Sequence, residues 1–136
     1  MNDLLISIIR GVLAFVLAWA TVVIVNLSTN MMLTLIFPKL ISMTGVPVTT
    51  AGRWTDLLLL GFAGTLGALV VVLTARRAPW THATIFGASA VLIEFIACFS
   101  MLSEQPMWYK TLMIATLPPQ IFLGAIVAMR IQGRFS

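Results

Sequence analysis

Residues 91 to 98, "VLIEFIAC", set one carboxylate, Glu94, in the middle of an apolar run. Two kinds of chemistry suit such an acid. As a protonated group it can donate a hydrogen bond to a neighbouring helix; as a titrating group it can carry a proton or bind a substrate. No second carboxylate is near it in the sequence, so paired acid and base duties are not expected. The one histidine, His82, follows Trp80 closely and reads as a boundary residue, with proton acceptance as its secondary use. One cysteine, Cys98, excludes an internal disulfide, and a single His with a single Cys supplies no metal set. The chain has no Gly-rich phosphate loop, no HExxH and no nucleophile elbow. Neither an enzyme nor a cofactor is expected.

The elements that hold Glu94 follow from composition. Of 136 residues, 60% are hydrophobic and 9% charged, where a soluble domain carries about 25% charged residues. The lipid bilayer is the expected surrounding, and nucleic acid is not an expected partner in spite of the net charge of +4. A crossing helix takes about 20 apolar residues. Four such runs are present: 4–28, 55–74, 81–102 and 109–131. The expected fold class is therefore all-α, an integral membrane four-helix bundle formed by a single domain over 1–136. Ala18-Trp19-Ala20 resembles a signal cleavage site, but the apolar run continues through Val25, so the segment reads as a span.

Orientation is read from the cations. Arg10, Arg76, Arg77, Arg130 and Arg134 fall on one side, and Lys39, Arg53 and Lys110 on the other. The excess places both termini in the cytoplasm, with the short Arg76-Arg77 connection as the main determinant. Trp54, Trp80, Trp108 and Tyr109 fall at the expected boundaries. The long connection 29–54 is then extracytoplasmic. Its first half either extends the first helix or lies in the interface as far as Pro38, and its second half is a turn-rich return.

Small residues mark the expected contacts between helices: Gly61, Gly64, Gly67 and Ala68 in the second span, Gly87 and Ala90 in the third. Glu94 shares the face of Ala83, Gly87 and Ala90. Counted by helical rise, Gln120, Thr65 and Trp19 come to a similar depth, which suggests a polar layer drawn from all four helices. Pro118 and Pro119 remove two backbone donors and should kink the fourth span, freeing the carbonyls of Ile114 and Ala115. Asp56 is expected to cap the second helix.

The stretches "LGALVVVLTARRAPWTHATIFG" and "WYKTLMIATLPPQIFLGAIVA" resemble a group of small four-helix bacterial inner-membrane proteins without a known activity. The likeness runs from Gly61 to Ala128, about half the chain. It implies a four-helix protein of the bacterial inner membrane and transfers no functional residue. The expected function is that of an accessory or structural subunit, packing with itself in a homo-oligomer or with a larger membrane complex. A small proton-coupled transporter or channel using Glu94 is the alternative. An immunity-type protein, binding a membrane-active toxin through the long loop, is the third reading.

Overall fold

The computed structural model describes residues 2–134 and is all-helical: α1 Asn2–Ile36, α2 Thr50–Ala75, α3 Pro79–Ser100, α4 Met107–Ala115 and α5 Leu117–Ile131. With α4 and α5 taken together, four helices are long and apolar enough to cross a membrane. The α2 helix is the hub, packed against α1, α3 and α5. One end of the bundle gathers Arg10 beside Arg77, and Arg134 donating to the Arg76 carbonyl. This arginine end lies opposite a hairpin end, where Arg53 and Lys110 are held.

The first helix is longer than its apolar run suggested, because residues 29–36 continue it rather than forming a loop. The sequence "STNMMLTLI" has no Pro or Gly to stop it before Pro38. Only Ala14, Ala18 and Leu33 of α1 are buried, so it is fastened along one narrow stripe. The α2 helix likewise begins earlier, at Thr50, because Thr49 caps it by accepting from the Gly52 N–H at 3.0 Å. Asp56 is therefore free of the capping role.

Between α1 and α2 the chain closes a tight hairpin. Ile41 pairs with Pro47, and the Ser42 N–H donates to the Val46 carbonyl at 2.8 Å. Gly45 turns the corner with φ at 79°, a conformation that side chains disfavour. Gln105, in the α3–α4 connection, clamps the hairpin: its Nε2 donates to the Pro47 carbonyl at 3.1 Å, and its Oε1 accepts from Arg53 Nε at 2.8 Å.

The core has two parts. Toward the arginine end it is wholly apolar, with Ala14, Ala68, Val71, Val72, Phe86 and Ala125 at its centre. Toward the hairpin end a smaller cluster of Leu57, Cys98, Tyr109 and Met113 is interleaved with polar groups. Gly124 brings α5 against α2 so closely that a Cβ there would overlap the Thr65 carbonyl and lie 2.7 Å from the Ala68 methyl.

Candidate functional site

Glu94 lies at the meeting point of the two core parts. It lines a void of about 40 Å³ with Trp19 from α1, Leu60 and Gly64 from α2, Phe86 and Ala90 from α3, and Ile121 from α5. The tilted Trp19 and Phe86 rings, 5.3 Å between centroids, form the wall toward the arginine end.

Gln120 is held beside this void by the broken fourth span. Thr116 ends α4, its N–H donating to the Leu112 carbonyl at 3.0 Å. From there, Gln120 Nε2 donates to Thr116 Oγ1 at 3.0 Å, and the Thr116 hydroxyl donates to the Met113 carbonyl at 3.3 Å. Gln120 Oε1 presses on Gly64, where a Cβ would overlap it. The Gln120 side chain is 8% exposed, and this oxygen has no hydrogen-bond partner.

Of the four residues expected to share a polar layer, Glu94 and Trp19 line the void, and Gln120 meets its Gly64 wall. Thr65 does not join them, because its hydroxyl donates to the Gly61 carbonyl of its own helix at 2.8 Å. The expected packing residues are placed differently from one another. Gly61 and Gly64 make room for the Gln120 amide, Gly67 for Phe86 and Val22, and Gly87 for Ile121. Ala68 and Ala90 are buried.

A polar group toward the hairpin end escaped the sequence reading. Tyr109, near the start of α4, is buried within the bundle, and its hydroxyl donates to Asp56 Oδ2. Lys110 is also buried, donating to the Ser103 carbonyl at 3.1 Å with its ammonium 5.7 Å from the centre of the Phe99 ring. Asp56, bonded to Tyr109, stands one helical turn from the void-lining Leu60, and Cys98 one turn from Glu94 on α3. The carboxylate missing from Glu94's stretch of sequence is thus supplied by α2. The signal was available as spacing: Asp56, Leu60 and Gly64 fall one turn apart on one face of α2, and Glu94 and Cys98 do the same on α3.

His82 is half-buried against α1, where a Cβ on Gly11 would come within 3.3 Å of its Nε2. Among the described residues no three His, Cys, Asp or Glu gather as a metal site would need. The Glu94 void suits a proton or a water and is too small for an organic substrate. No family model, curated protein or solved structure matches the chain.

Proposed function

We propose that this chain is a multi-pass protein of the bacterial inner membrane, with both termini in the cytoplasm, serving as an accessory subunit that works through helix contacts. The observation that carries this reading is a groove on the outside of the bundle. It has a volume of about 690 Å³ and runs between α3 and α5, floored by Ala83, Thr84, Gly87 and Ala88 and closed at one end by the stacked Trp80–Phe122 pair. Small residues at helical spacing let another backbone approach closely, which an acyl chain does not require. Phe122 stands exposed at its margin, so a second copy turned about a two-fold axis can offer its ridge to the groove while receiving the other's.

The test is the size of the purified assembly. Wild type should run as an oligomer, and Ala88→Trp, which fills the groove from an exposed position, should run as a monomer with an unchanged thermal midpoint. A wild type that stays monomeric both in mild detergent and under crosslinking in liposomes would overturn the reading. A hetero-assembly of fixed stoichiometry would replace the second copy with a larger partner. For orientation, reporters placed within residues 76–79 and after the carboxyl terminus should both give cytoplasmic signals, and a cysteine at Thr49 should react with an impermeant thiol reagent from outside.

A proton-coupled transporter or channel is the second reading, favoured by the position of Glu94 at the void. It requires a path onward to the arginine end, where the core is filled by apolar side chains.

A further inference from the structure

We propose that Glu94 is a proton-binding site with access from the hairpin end alone: it loads and unloads a proton without passing it across the bundle. The inference rests on how polar groups are distributed along the bundle axis. On the hairpin side, α2 presents Asp56, α3 presents Cys98, and α4 presents Tyr109 and Lys110. On the arginine side, the next buried layers among the described residues are Phe86, Val71, Val72 and Ala125, all with hydrocarbon side chains; the nearby Ser89 hydroxyl is spent on the Phe86 carbonyl at 2.7 Å, and the titratable His82 stands further off against Gly11 of α1. The α1 and α5 helices add only Trp19 and Gln120 at the level of Glu94, and neither titrates near neutral pH.

Two further observations point to a small polar occupant. The void is about 40 Å³, and a water needs roughly 10 to 15 Å³ measured this way. Gln120 Oε1, buried and without a donor, rests against Gly64, which lines the same void. A protonated Glu94, or a water held by it, supplies that donor. Asp56, bonded to Tyr109 and one helical turn from the void-lining Leu60, stands between Glu94 and the hairpin end. Each loading consumes one proton from that side and converts one carboxylate to the neutral acid. Unloading returns the proton by the same route.

The test is infrared difference spectroscopy of the full chain in liposomes, with pH changed on one side at a time. A carboxylic-acid band should appear on acidification of the hairpin side, vanish in Glu94→Gln, and remain unmoved by pH on the arginine side. Asp56→Asn should slow its appearance while leaving its amplitude in place. The same liposomes should lose a pH gradient no faster than liposomes carrying Glu94→Gln. A band answering to both sides, a gradient that collapses only with wild type, or no titration of Glu94 from either side would each overturn the proposal. Should Glu94→Gln fail to insert, the one-sided response of the wild-type band still decides the matter.

Discussion

Gly124→Ala should destabilise the bundle by about 2 kcal/mol, the middle of the range for forcing extra atoms into a packed contact. A methyl at that position overlaps the Thr65 backbone carbonyl, which cannot rotate aside as a side chain would, and presses on Ala68 as well. The only relief is to move α5 away from α2, which loosens Gln120 from Gly64 and opens the apolar core around Ala125 and Ala128. Leu123→Ala, one residue away on the exposed face, is the control and should change stability by less than about 0.5 kcal/mol. Reversible unfolding in mixed micelles measures both. A Gly124→Ala protein as stable as wild type would mean that α2 and α5 are not in close contact.

The second large effect is expected at Tyr109. Tyr109→Phe keeps the ring packed among Leu57, Cys98 and Met113 but removes the hydroxyl that donates to Asp56. A carboxylate left without its donor in such surroundings costs about 1 to 3 kcal/mol. Asp56→Leu removes the other partner, so the double variant should recover part of the loss. The pair should show a coupling energy above about 0.5 kcal/mol, as residues in direct contact do. Additive single losses would show that the two side chains do not meet in the folded protein.

What could be read in advance depended on whether the signal was local. Spans announce themselves through unbroken apolar length, so four helices were legible, as was the partition of the eight cations into five and three. The Pro118-Pro119 break was legible too, because proline acts on its own helix. Partners across helices were not. Asp56 looked like a cap because it follows Trp54 near the expected helix start, and nothing in its neighbourhood named Tyr109, 53 residues away. Gly64 was recognisable as a contact residue, but that it accommodates the Gln120 amide depends on the rotation of α5 after its kink. Gly124 carries a legible signal, since Gly124 and Ala128 repeat the small-residue spacing of Gly64 and Ala68. The sequence does not decide the extension of α1 through residue 36, because an apolar stretch beyond a span reads equally well as interface or as helix.

The length of α1 bears on how the protein meets the world outside the bilayer proposed for it. Its 35 residues make a rod of about 52 Å, and even a tilt of about 40°, at the edge of the usual range, leaves some 10 Å beyond a hydrocarbon layer of about 30 Å. At its hairpin end Asn30 donates to Asn26 at 2.7 Å, and the Thr34 hydroxyl reaches the Ser42 carbonyl of the hairpin at 3.4 Å. In the orientation proposed above, the rod's end and the hairpin form a small folded platform outside the bilayer in place of a slack connection. A protease added from outside should find Lys39 slow to cleave, and antibodies raised against the folded chain should recognise a shaped surface that a linear peptide of the same residues does not reproduce.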